Sequence, residues 1–146
     1  MFVIFEGLDK SGKGTLEREF LKMTNYKFVV VDRGPAGYMV FDKLFNRQTV
    51  LGDYQFMKDA ELMMHSGDFM VVYCKAPIDV ALKRISEHNE VCPYNYEYAQ
   101  KMYDAHVKWL YDRNKVVEVD THSLSVGECV LKIKQKLQEV LKGEHD

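Results

Sequence analysis

The sequence predicts an α/β fold, a parallel sheet with helices packed on both faces. Three observations carry that reading. Four short apolar runs lack the alternation of half-exposed strands. Helix-period segments separate them. The first run passes straight into a glycine-rich loop that opens a helix. Residues 1–146 contain no repeat, no low-complexity stretch and no linker, so they read as one domain.

In chain order, Phe2–Phe5 is the first strand. A helix follows from Lys13 to about Met23, with Leu16, Phe20 and Met23 on one side. Phe28–Val31 is the second strand. A helix from about Tyr54 to Met64 aligns Met57, Ala60 and Met64. Phe69–Cys74 is the third strand, and Pro77 then opens a helix over Asp79 to Glu87 with Val80 and Arg84 one turn apart. Asn95 to Asp112 repeats apolar contacts at Tyr98, Met102, Ala105 and Trp109. Val116–Val119 is the fourth strand. The last helix, about Val126 to Leu141, carries Val126, Val130, Ile133, Leu137 and Leu141. Strands covered on both faces need no polar alternation, so all four read as buried. The Met and Tyr residues of the second and fourth helices read as core packing.

The loop is the most specific feature. Gly7-Leu8-Asp9-Lys10-Ser11-Gly12-Lys13-Gly14-Thr15 follows a strand and enters a helix. That is the layout of a phosphate-binding P-loop, and with it the three-layer fold of P-loop nucleotide-binding proteins. Glycines let backbone N–H groups approach phosphate oxygens, and the helix N-terminus adds partial positive charge. Lys13 is placed to reach the outer phosphates of a nucleoside triphosphate. The usual pattern has Ser or Thr directly after the Lys to hold Mg²⁺. Here Gly14 stands there and Thr15 follows, so Thr15 is expected in the metal shell, with water between. This Gly-Lys-Gly-Thr form resembles adenylate kinases.

Asp32 and Arg33 end the second strand, where open α/β sheets bind ligands. Asp32 is placed to orient Mg²⁺ through water or to accept a proton, and Arg33 to clamp an acceptor phosphate. The bland alternative is a surface ion pair. Lys83 and Arg84 read either as cations folding over bound phosphates in a lid or as a solvated helix end. Asp9 suits a sugar hydroxyl or metal water. Lys10 suits transition-state charge, and solvent exposure is the alternative for both. The five histidines show no paired spacing.

Composition narrows the class further. A formal net charge of −2 argues against a nucleic acid polymer as partner. No apolar run has a membrane-spanning length, and the first strand, followed by Glu6 and Asp9, does not read as a signal peptide. The tail from Lys142 to Asp146 reads as polar and frayed. Cys74, Cys92 and Cys129 are odd in number and widely spaced, which points to a reducing, cytoplasmic setting and not to disulfides or zinc.

On Phe5-Glu6-Gly7-Leu8-Asp9-Lys10-Ser11-Gly12-Lys13, on Asp32-Arg33, on Phe69 to Arg84 and on Val116 to Leu141, the chain resembles the thymidylate kinase branch of the nucleoside monophosphate kinases. The resemblance implies ATP and Mg²⁺ binding, phosphoryl transfer to a deoxynucleoside monophosphate such as dTMP, and frequent homodimers. It implies five strands, so the expected sheet has four to five. It assigns Asp9 to the acceptor's sugar or the catalytic region, Lys13 to the transferring phosphates, Arg33 to the acceptor phosphate and Arg84 to the ATP side. Lys10, following Asp9, resembles the subgroup that carries its catalytic cation in the loop, since Ser86 to Asn95 contains no Arg or Lys. The chain departs from the family where only Thr24 to Lys27 join the first helix to the second strand. Phe41, Phe45 and Arg47 are candidates for a replacement acceptor pocket. Two alternatives stand beside this reading. One is a deoxynucleoside kinase with Glu6 or Asp32 as base; the other is a nucleotide-binding module without catalysis. A GTPase is disfavoured, since Asn114-Lys115-Val116-Val117 lacks the guanine-reading Asp.

Overall fold

The computed structural model describes residues 1–47, 58, 62, 65 and 67–145. Its elements are β1 (Phe2–Glu6), α1 (Lys13–Met23), β2 (Val29–Asp32), α2 (Pro35–Leu44), β3 (Phe69–Lys75), α3 (Ile78–Glu87), α4 (Tyr96–Leu110), a 3-10 turn (Arg113–Lys115), β4 (Val116–Asp120) and α5 (Val126–His145). The helix expected over about Tyr54 to Met64 lies, apart from residues 58 and 62, outside the described residues.

The four strands form one parallel sheet in the order β2-β1-β3-β4. Val3, Phe5, Met70, Val72, Val117 and Val119 face α1 and α5 across Leu16, Phe20, Cys129 and Ile133. Ile4, Phe69, Val71 and Tyr73 face α2, α3 and α4 across Val40, Ala81, Ile85, Ala99 and Tyr103. This is the three-layer α/β arrangement of P-loop nucleotide-binding proteins. Because every strand runs the same way, Glu6, Asp32, Lys75 and Asp120 arrive at one edge of the sheet.

The strands lie where the apolar runs are, each ending one residue later than expected. The expectation that all four are buried fails for β2. It pairs with β1 alone among the described residues, and Val29 is 57% exposed. No helix among the described residues is long and apolar enough to cross a membrane.

α2 and α4 depart most from expectation. α2 was not foreseen; Pro35 sits in its first turn, where a missing N–H costs nothing. α3 starts one residue earlier than expected and buries Ala81 and Ile85. On α4 the period is right and the phase is wrong. Tyr96, Ala99, Tyr103, Val107 and Leu110 are buried, while Tyr98 and Trp109 are 50% and 54% exposed. On α5 Ile133 and Leu137 are buried as expected, joined by Cys129 and Val140, but Val126 is exposed.

The outward turn of α4 gives the chain's single tryptophan a reporter role. Trp109 donates its indole N–H to His106 Nδ1 at 2.9 Å. Burial, with the Lys43 ammonium nearby, holds the His106 imidazole below the ordinary 6.5. The folded state therefore favours neutral His106, and the unfolded chain takes the proton first. This contribution to stability is present above 6.5 and is lost as pH falls through the lower folded value. Acidification should quench Trp109 fluorescence with a midpoint below 6.5, and His106→Gln should remove the transition. A midpoint at or above 6.5 would contradict the geometry.

Candidate functional site

The loop between β1 and α1 is held from three directions. Leu8 anchors it from below, buried in the core beside Ile4 and Tyr73. The Ser11 N–H closes a turn on Leu8 O at 3.2 Å. Lys10 and Gly12 adopt left-handed φ values of 62° and 85°. Gly12 requires its missing side chain twice over, because Thr121 fills the space a Cβ would take, at 2.9 Å. Gly12 is also the N-cap of α1 and supplies no side-chain cap, so the first amides of the helix stay open toward the loop.

Thr121 and Arg84 cinch the loop from the side. Thr121 Oγ1 donates to Ser11 O at 2.7 Å. Arg84 donates from Nη1 to Lys10 O at 2.9 Å and to Thr121 Oγ1 at 3.2 Å, and from Nη2 to Thr121 O at 3.2 Å. Arg84 is thus neither in a lid nor at a solvated helix end; its guanidinium is docked on the loop's backbone. Thr121 escaped the sequence reading. The signal that could have found it is its place just past the carboxyl end of β4.

The sequence-selected charges gather here in pairs. Lys13 Nζ bonds Asp32 and lies 3.6 Å from Glu17 Oε1, one helical turn along α1. Burial and the neighbouring Asp32 push the Glu17 carboxyl up to about 7. Burial acts the same way on Asp32, but the bonds from Lys13 and Glu17 outweigh it and hold Asp32 below its ordinary value. Thr15 is exposed in the first turn of α1, where its hydroxyl accepts from Arg18 at 3.4 Å. Asp32 and Thr15 are hard oxygen donors, and Mg²⁺ takes one or two carboxylates plus phosphate oxygens and water. Among the described residues no three His, Cys, Asp or Glu gather into a cage, so the donor set fits a cation that arrives with phosphates.

On the other side of the loop Arg33 donates to Asp9 Oδ1 at 2.9 Å and to Gly7 O at 3.2 Å, with its guanidinium 4.2 Å above the Phe41 ring. Burial opposes its charge, and the Asp9 carboxylate more than restores it. Tyr94 donates to Asp9 Oδ2 at 3.1 Å and Tyr96 to Asp9 O at 3.0 Å. Phe41, Phe45 and Tyr94 meet as an aromatic cluster, and Arg47 lies over Phe45 at 5.1 Å. Lys10 pairs with Glu90 at 3.5 Å. Asp9 and Lys10 are therefore both engaged in ion pairs, while the Asp9 side chain remains 53% exposed. Tyr94 and Tyr96 carried no recognisable motif in the sequence.

Beneath the loop, Glu6 is fully buried. Tyr103 and Tyr111 donate to it at 2.7 and 2.6 Å, and the amides of Gly34 and Gly37 at 3.1 and 3.2 Å. Burial pushes its carboxyl up, and these donors pull it back. With every donor in place, Glu6 has no approach to a substrate, so the base role considered for it in a nucleoside kinase does not hold.

An open cleft of about 340 Å³ lies beside the loop. It runs between Lys10, Gly12 and Thr15 on one wall and Arg84, Leu124 and Val126 on the other. It is large enough for a planar heterocycle next to a phosphate site.

No protein-family model and no curated protein matches the chain. Among solved structures the chain is similar to the YorR protein of Bacillus subtilis, crystallised in complex with phosphorylated GDP. The TM-score is 0.78 at 17% identity, over 100% of this chain and 99% of that one. At that identity the likeness establishes the fold.

Two glycines test the site's packing. Gly14 meets only Arg18 Nη1, 3.8 Å from an added Cβ, so Gly14→Ala should stabilise by about 0.5 kcal/mol. A Cβ on Gly37 would lie 2.6 Å from Tyr103 Oη and 2.8 Å from Glu6 Oε1. Gly37→Ala should therefore destabilise by about 1–3 kcal/mol, against helix propensity. Denaturant melts of both variants check the contrast. Equal shifts would sink it.

Proposed function

We propose that this chain is an ATP-dependent kinase that passes the γ-phosphoryl group to a deoxynucleoside monophosphate, dTMP being the first candidate. The observation that carries this reading is the pairing of a strand–loop–helix phosphate cradle bearing Lys13 with Asp32-Arg33 at the adjacent strand end. A cradle alone needs only a donor nucleotide. A second cation, aimed across the loop mouth and preset by Asp9 and Phe41, suits a second phosphate. The nucleotide in the YorR crystal supports a nucleotide ligand for the shared fold.

In this reading the loop amides other than those of Gly7 and Ser11, together with the Lys13 ammonium, take the β- and γ-phosphates, and the 340 Å³ cleft beside Arg84 takes the donor's base. Arg33 binds the acceptor phosphate and Asp9 its sugar. Phe41, Phe45 and Tyr94 offer the aromatic wall for the acceptor's base. Lys10 releases Glu90 to bring charge to the group in transfer. Thr15 and Asp32 would hold Mg²⁺, Asp32 through water. When bound, the cation neutralises charge on the phosphoryl oxygens.

The test is ADP formation from ATP with dTMP, dGMP and other deoxynucleoside monophosphates, and with the unphosphorylated nucleosides. Turnover should require a monophosphate. Lys13→Ala should lower it by about 10²–10³-fold while the melting temperature stays close to wild type. Turnover with nucleosides alone would move the assignment to nucleoside kinases. ATP binding without turnover on any acceptor would leave a binding module.

A further inference from the structure

Glu17 is an unexpected residue in this setting. It lies on α1 one turn past Lys13 and its side chain is 17% exposed. Its Oε1 is shut off from water, has no hydrogen-bond partner and stands 3.6 Å from the Lys13 ammonium. A shielded carboxylate oxygen held only by an ion pair at that distance is costly. An apolar side chain of the same length would fill the place at lower cost. The position therefore serves something other than packing. Its charged surroundings are Lys13 on its own helix and Asp32 on β2, with the Cys74 thiol on β3 close enough to interact. One turn earlier, Gly14 lacks the hydroxyl that usually follows the phosphate-loop lysine.

We propose that Glu17 is a positioning residue of the phosphate site. With Asp32 it holds the Lys13 ammonium while no nucleotide is bound, and the two carboxylates then draw in the divalent cation when Lys13 turns to the phosphates. The inference rests on the kinase reading's phosphate site. It follows from charge balance. Lys13 is the cation that Asp32 bonds and Glu17 faces, and a triphosphate takes it away. While both are ionised, two neighbouring carboxylates without a cation repel each other and the phosphates. A divalent cation removes both repulsions, and the Glu17 carboxylate stands one turn from Gly14, where the usual hydroxyl is missing. Triphosphate binding should thus be weak without the cation and strongly enhanced by it.

The experiment is calorimetric titration of the full chain with ATP, once in EDTA and once in excess MgCl₂, for wild type and Glu17→Gln. Glu17→Gln should bind ATP more tightly than wild type in EDTA. The Mg²⁺ enhancement, the ratio of the two affinities, should fall by about tenfold. Glu17→Met serves as a second variant of similar length should the amide fail to fold. A residue that only packs would shift both affinities together and leave the ratio unchanged; that result overturns the inference and leaves the kinase reading standing. No ATP binding by wild type under either condition overturns both.

Discussion

The buried carboxylate of Glu6 is the constraint on which the site depends. An acid at the carboxyl end of a central strand, with no access to water, is tolerable only if donors surround it. Here they come from α2, from α4 and from the segment just after it, all remote in sequence. The bonds therefore do two tasks. They satisfy the acid, and they fix α2 and α4 relative to β1. Tyr103 extends the chain by one step, because its oxygen also accepts the Gly7 N–H at 2.9 Å. The first amide of the phosphate loop is thus tied through one hydroxyl to the same carboxylate. Gly37 lacks a side chain because the acid and the phenol occupy that space.

This network also explains what the sequence could and could not reveal. The loop was legible because its chemistry is local: strand, glycines, lysine and helix follow one another within a few residues. α2 was not legible because its N-terminal cap is not local. Gly34 provides no side-chain cap, and the acceptor for its first amides is Glu6, 28 residues earlier. Local propensity has no access to such a bond, so no helix start was read at Gly34-Pro35. α4 failed differently. Its sequence holds two apolar stripes of helical period, and periodicity alone cannot choose between them. The choice is made by hydroxyls, since Tyr96 and Tyr103 turn inward to reach Asp9 and Glu6. Arg84 was singled out as a cation for bound phosphates, but its partners are the Lys10 carbonyl and Thr121, contacts that no side-chain pattern announces.

The ion pairs around the loop are not equivalent, and the difference bears on how a ligand would enter. Arg33 is held by Asp9, by a backbone carbonyl and by the face of Phe41. A guanidinium fixed by three contacts has already lost much of its rotamer freedom, so a phosphate meeting it has little more to order. Its charge is set before the ligand arrives, and only the share of it directed at Asp9 must be redistributed.

Lys13 is the opposite case. Its main partner, Asp32, is 61% exposed, so water and counterions screen the pair on one side. Such a contact is easily exchanged. A triphosphate brings several negative oxygens into a ring of open amides and competes well for the ammonium. What opposes the exchange is the partly shielded Glu17, which stays charged or takes a proton or cation of its own once Lys13 leaves. In the proposed kinase, phosphate capture at this loop is therefore set less by the lysine than by what happens to the two carboxylates it leaves behind.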